Sequence, residues 1–347
     1  GVRDVTAAYI ESLVPITEQV ELNLAGRFDD YSDFGSAFSP KASLRYQPLD
    51  NLMLRTSWSR SFRAPSLSDL YSADSYSADW AKDYVYCEAN GISAADCPNR
   101  QYDTTRTSNE DLKEETADTW NFGVAYSPVD DLNLSLDYYT IKIEDVIQLN
   151  SLQSVIYDEL NNGGSSNITR NSQGKISGAI APMVNLGTLN TSGLDLKLDY
   201  RYDLTSATIR YDLGGTYILD YKEGLYAGGP VIDKIGQNGK PQMRFSTGVG
   251  VNVPQWWNMD TYLSANYIDS QSQDYIADTG EEVGHIASQT TWNLNVGVDA
   301  PWNGKIQVGV KNMFNAGPSL ESDGFTYDEE LYSIDGRIYY LDYAQKF

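Results

Sequence analysis

From residue 193 to 221 the chain alternates with a period of two. Leu194, Leu196, Leu198, Tyr200 and Tyr202 interleave with Asp195, Lys197, Asp199 and Arg201. After a turn at Asp203 to Ser206, Ala207, Ile209, Tyr211, Leu213, Tyr217, Leu219 and Tyr221 take one face and Thr208, Arg210, Asp212, Thr216 and Asp220 the other. This is a strand period with one apolar and one charged face. The second strand runs for roughly fifteen residues, whereas globular strands usually have about five or six. The same period recurs along the chain. Val20 to Phe28, Ala42 to Tyr46, Leu52 to Trp58, Trp120 to Tyr126, Leu132 to Tyr138, Met243 to Val253, Trp257 to Tyr267, Trp292 to Val298, Ile306 to Val310 and Tyr339 to Tyr343 all alternate. Residues 7 to 16 mix both parities, with Ala8, Ile10, Val14 and Ile16 the better apolar face. After Tyr138 the apolar phase flips to Ile141 and Ile143, which predicts a bulge or an exit from the apolar layer.

About thirteen strands emerge, and the connections alternate short and long. Tight turns fall near 17, 49, 129, 204, 255 and 302. The long connections cover about 64–112, 147–182, 222–240, 270–287 and 315–335; within the second, SLQSVIYDELNN has the pattern of a short helix. Long two-faced strands with short turns at one end and long loops at the other predict an all-β, antiparallel transmembrane barrel. The long loops are then extracellular, and the last strand descends to the periplasm. A soluble two-sheet sandwich also alternates, but its strands are shorter.

Composition sharpens the picture in three places. A formal net charge of −23 leaves nothing to neutralise phosphates and argues against nucleic acid. No run of about eighteen apolar residues exists, so no transmembrane helix is expected; the mean hydropathy of −0.43 says little about a wall that alternates. The 26 tyrosines and 7 tryptophans suit membrane interfaces. Cys87 and Cys97 are close enough in sequence for a disulfide in an oxidising compartment, the alternative being two free thiols. With a single histidine, His285, far away, a metal site at the cysteines is disfavoured. No leader opens the chain, and the expectation is that Gly1 follows a cut in a longer protein.

Four stretches, SRSFRAPSLSDLY at 59–71, NEDLKEETADTWNFGV at 109–124, NTSGLDLKLDY at 190–200 and VKNMFN at 310–315, resemble in order and spacing the carboxy-terminal part of a TonB-dependent outer-membrane receptor. Glu110 stands where proline is common and Met313 where leucine is common. The resemblance implies a barrel of 22 strands with a plugged lumen, of which residues 1–347 supply the tenth to the last. The plug, the TonB box and the first nine strands then lie outside this chain, which alone leaves two bare edges in lipid. The implied partners are outer-membrane lipid and lipopolysaccharide, the missing amino-terminal part, the TonB complex through that part, and the barrel-assembly machinery, which reads a terminal aromatic such as Phe347.

The implied function is energised uptake of a scarce nutrient, whether iron-siderophore, oligosaccharide, peptide or cobalamin. Ligand-contact candidates are Tyr71, Tyr76, Trp80, Tyr84, Tyr86 and Tyr102, whose rings suit stacking on a sugar or a planar iron chelator; the alternative is that they pack the loop on itself. The inward charges Arg45, Arg55, Asp195, Lys197, Asp199, Arg201, Arg210, Asp212 and Arg244 read as a solvated ladder against the plug. No resident cofactor is expected, with calcium at Asp29, Asp30 and Asp33 the one option. Catalysis finds no nucleophile and base pair, and Glu114 and Glu115 read as solvated acids at a strand start. A passive porin and a surface adhesin or assembly barrel are the competing readings.

Overall fold

The computed structural model describes residues 2–224, 231–237, 239–272, 284–320 and 327–345. The Phe347 expectation lies outside these. In chain order the first four strands are β1 (Val5–Pro15), β2 (Val20–Tyr31), β3 (Gly35–Leu49) and β4 (Leu52–Arg63). The first long connection contains α1 (Leu67–Tyr71), β5 (Ser75–Lys82), α2 (Tyr84–Ala89) and β6 (Asn99–Thr107). Then come β7 (Glu115–Val129), β8 (Leu132–Leu149), α3 (Leu152–Asn162), β9 (Ile168–Arg170), β10 (Ile176–Asp203), β11 (Thr208–Gly224) and β12 (Val231–Asp233). The rest are β13 (Met243–Val253), β14 (Met259–Ile268), β15 (Gln271–Ser272), β16 (His285–Ile286), β17 (Gln289–Ala300), β18 (Gly304–Lys311) and β19 (Ile338–Gln345).

Thirteen of these form one antiparallel wall in the order β1, β2, β3, β4, β7, β8, β10, β11, β13, β14, β17, β18, β19. Each is joined to its neighbour in sequence, and the six tight turns fall between paired strands as the alternation predicts. Among the described residues β1 pairs in the wall only with β2, and β19 only with β18, so the wall has two open edges.

The registers fix which residues share a face, because opposed residues of an antiparallel pair point the same way. One face carries Leu24, Leu44, Leu54, Trp120, Leu136, Leu196, Tyr200, Leu263, Val308 and Leu341, each more than a third exposed. A soluble monomer rarely leaves a contiguous apolar patch beyond a few hundred Å², whereas a lipid-facing wall requires one. The register resolves β1 as well: Ala8, Ile10 and Val14 oppose Phe28, Gly26 and Leu22 on the lipid side, leaving Tyr9 and Leu13 on the other face. In β8 the flip at Ile141 and Ile143 involves no register slip against β7, where they oppose Thr119 and Ala117. A bulge follows directly: against β10 the register shifts between Ile143, opposite Leu189, and Val146, opposite Gly187, where Asp145 has a φ of 57°.

The inner face holds the charges. Arg55 pairs with Asp137 (2.5 Å), Arg210 with Asp260 (2.5 Å), Lys197 with Asp199 (3.1 Å) and Arg201 with Asp203 (3.1 Å). The buried apolar clusters lie mainly outside the wall, in the long connections.

Candidate functional site

The long connections 64–114 and 150–182 do not run separately. At their root, residues from two of the sequence stretches meet. The Arg63 guanidinium donates to both oxygens of Glu115, and Glu115 in turn accepts from the Ile147 amide (2.6 Å). Leu70, Leu112 and Ile147 close a small core beside them. The Asn109 side chain donates to the Met183 carbonyl (2.9 Å), and its amide to that of Asp69 (2.9 Å). Ser66 caps α1 in a reciprocal capping box with Asp69. Glu115 is therefore a buried, paired acid, not the solvated one that its place at a strand start suggested.

Above this root stands a folded cap. β5 and β6 form a hairpin; β6 pairs in parallel with the start of β10, Thr104 opposite Ala179, and β9 adds to the far side of β10. Since β10 continues into the wall, the cap and wall share a strand. One face of the cap sheet is covered by α3, whose Leu152, Val155 and Ile156 pack on Ala81, Ile168 and Ala179. The sequence signal for α3 holds, with Ser151 capping its start and Gly163 in the left-handed region ending it.

Cys87 and Cys97 form a disulfide with Cα atoms 5.9 Å apart, buried with Tyr84. Arg170 of β9 ties three elements together. It donates to Asp83 at the start of α2 (2.8 Å) and to Glu159 of α3 (2.7 Å), with all three side chains largely buried. Glu159 first, then Asp83, holds this guanidinium above the usual arginine range, and burial opposes them. Asp79 accepts from Arg106 (2.6 Å) and Ser77 (2.6 Å). Burial pushes the Asp79 carboxyl up, but those hydrogen bonds and the Arg106 charge outweigh it, leaving the group below its ordinary range.

The six aromatic candidates divide. Tyr84 packs inward, its ring stacked on Tyr157 at 5.4 Å. Tyr102 lies against the α3 core, where burial and then the Asp83 charge push its hydroxyl pKa up. Tyr86 is half-buried with Lys175 5.8 Å from its ring. Tyr71, Tyr76 and Trp80 are 40%, 86% and 63% exposed. Tyr76 and Trp80 flank Ala78 on the uncovered face of the cap sheet, opposite Thr105, Gln101 and Asp103. The structure thus presents three rings and turns three toward packing.

A second loop cluster sits at the same end of the strands as the cap, toward the β19 edge of the wall. Gln271 and Tyr332 are buried together, the Gln271 amide donating to the Tyr332 hydroxyl (2.9 Å). Beneath them a cavity of about 920 Å³ is lined by Asp195, Lys197, Arg244, Asn266 and Gln289 of the inner face and by Leu331 and Ser333. The VKNMFN stretch roots the last connection: Asn312 bonds Ala316 through both side-chain atoms, and Asn315 accepts from the Arg337 amide (2.9 Å). Both asparagines have positive φ, 49° and 58°, which this residue tolerates better than most.

The calcium expectation meets paired acids. Asp29 is bound by Arg27 (2.7 Å) and Asp33 by Arg3 (2.7 Å). Among the described residues no group of three or more His, Cys, Asp or Glu is placed to hold a metal. Sequence reasoning missed Arg170, Gln271 and Tyr332, single residues in aperiodic segments, and Glu159, whose partners lie outside its own helix.

Residues 1–313 match the family described as TonB dependent receptor-like, beta-barrel. A probable TonB-dependent siderophore receptor PirA from Acinetobacter baumannii is 23% identical over 350 residues, covering 99% of this chain and 43% of that protein. Among solved structures, the siderophore receptor PirA from Acinetobacter baumannii superposes with a TM-score of 0.72 at 18% identity, covering 98% of this chain and 45% of that one. A variant of the ferric enterobactin receptor PfeA from Pseudomonas aeruginosa gives 0.72 at 15% identity, with 98% and 44% covered. The chain spans less than half the length of these relatives. It belongs to the TonB-dependent receptor β-barrel family of the outer membrane.

Proposed function

We propose that the chain is the carboxy-terminal part of the barrel of a receptor that takes up a ferric siderophore across the outer membrane, energised through TonB. The missing strands would close the two open edges, since unpaired backbone cannot face hydrocarbon, and the plug would fill the lumen and carry the TonB box. The relatives named for siderophores favour this ligand class over oligosaccharide, peptide or cobalamin. The observation that carries the site is the cap: a sheet with one face packed by α3 and the other exposing Tyr76 and Trp80. Exposed rings on a rigid sheet offer a ligand surface at little ordering cost. In this reading Tyr71, Tyr76 and Trp80 contact ligand, Tyr84 and Tyr102 hold the cap together, and Phe347 serves assembly.

Equilibrium binding of ferric siderophores to the purified complete receptor tests it. Trp80→Ala and Tyr76→Ala are each expected to weaken binding by about tenfold, the loss typical of an exposed ring at a contact centre. Unchanged affinity in both variants would remove the cap face from the site.

A further inference from the structure

We infer that the ligand captured by this face is a ferric chelate without net negative charge, an uncharged or cationic complex and not a tris-catecholate trianion; this rests on the siderophore reading above. The carrying observation is where the chain places its acids. Residues 64–114 hold ten Asp and Glu against four Lys and Arg. The described parts of the connections after β14 and β18 add Asp269, Asp328, Glu329, Glu330 and Asp335 against Arg337. All three segments connect wall strands at the same end as the cap.

Three of the basic groups at this end are held in ion pairs, whereas Arg100 and Lys113 are exposed with no ion pair among the described residues. Arg106 is paired with Asp79, Arg170 with Asp83 and Glu159, and Lys240 with Glu223 at 3.7 Å. The acids are not matched in the same way: Asp74, Glu88, Asp103, Glu110, Asp111, Glu329 and Glu330 are exposed, and no ion pair joins them to a basic group among the described residues. Asp103 stands directly opposite Ala78, between the two exposed rings; Lys82 follows on the same face but is half-buried and engaged, so the exposed charge between the rings is a carboxylate. That combination attracts cations, through the ring quadrupole and through Coulomb attraction. A field of one sign over a concave mouth steers ligands of the opposite sign and repels like charge, an effect that salt screens within about 8 Å at physiological ionic strength.

Two measurements on the complete receptor test this. The first compares a ferric trihydroxamate bearing a free ammonium, the same chelate with that amine acetylated, and a ferric tris-catecholate. The cationic chelate is expected to bind about tenfold tighter than its acetylated form at low salt and to lose that advantage as salt rises. The tris-catecholate is expected to bind weakest. Tightest binding by the tris-catecholate, weakening with salt, would overturn the inference. The second needs no ligand: quenching of the Trp80 emission, taken as the difference between the native receptor and Trp80→Phe, by caesium and by iodide. Stronger quenching by caesium, converging with iodide at high salt, supports the acidic field; equal or stronger quenching by iodide refutes it. Absence of binding by all three chelates alongside caesium-favoured quenching would place the failure in the siderophore reading and leave the charge assignment standing.

Discussion

Arg55 and Asp137 lie on strands that do not pair with each other, and their ion pair closes over Gly123 of the strand between them. Arg55 Nε donates at 2.9 Å to Asp137, and a side chain at Gly123 would collide with both partners. Two other inner-face glycines serve the same end. Tyr262 reaches Asp212 (2.9 Å) across Gly248, and Asn295 donates to Tyr340 (2.6 Å) across Gly309. A missing side chain on the middle strand thus lets long polar groups link strands two apart.

Gly123→Ala is therefore expected to destabilise the folded barrel by about 1–3 kcal/mol, the usual range for overpacking a filled site. Gly214→Ala, also on the inner face but with open space around it, should stay within about 0.5 kcal/mol. Thermal unfolding of the complete receptor, followed by the gel-mobility change on heating, separates the two. Equal losses would contradict the strap over Gly123.

Arg170→Ala leaves Asp83 and Glu159 as buried acids without their shared cation. A broken buried pair typically costs about 3–5 kcal/mol, so hydrogen exchange in α3 and β9 should rise steeply while the wall strands stay protected. Adding Asp83→Asn and Glu159→Gln should recover part of the protection. No recovery would mean that packing, not unpaired charge, sets the loss.

The disulfide closes a short loop, worth about 2–3 kcal/mol by chain entropy. Cys87→Ser with Cys97→Ser should make the segment around α2 sensitive to protease at concentrations that spare the native cap. Identical cleavage patterns would show that the Tyr84 and Tyr157 stack suffices alone.

Asp79 is held below its ordinary range, so its contribution is present in full above the unfolded carboxylate value and is lost as pH falls through the lower folded value. Cap protection should be flat above about pH 5 and fall below about pH 4. Asp79→Asn should be less protected at neutral pH and show a smaller acid-induced fall. An undiminished acid-induced fall in that variant would assign the effect to other carboxylates.

The wall was legible because lipid on one side and a polar lumen on the other force a strict period of two, as in Leu194 to Tyr202. Six turns and the count of thirteen strands followed from it. The cap was not legible. Its sheet joins Thr104 to Ala179, 75 residues apart, through a parallel pairing with no local turn signal. Its strands are short and flanked by helices, so Tyr76 to Lys82 showed no sustained period. Only α3, with a cap residue and a glycine stop, announced itself. The aromatic candidates were found by composition, and composition has no means to tell Trp80, exposed, from Tyr84, stacked inward.

The most direct test of the account is uptake of an iron-labelled siderophore by cells producing the complete receptor, with and without a collapsed proton gradient. The account predicts accumulation that stops when the gradient is lost, while binding at the cell surface persists and weakens in Trp80→Ala. Accumulation that continues without the gradient, or a receptor that binds no ferric siderophore, would contradict it.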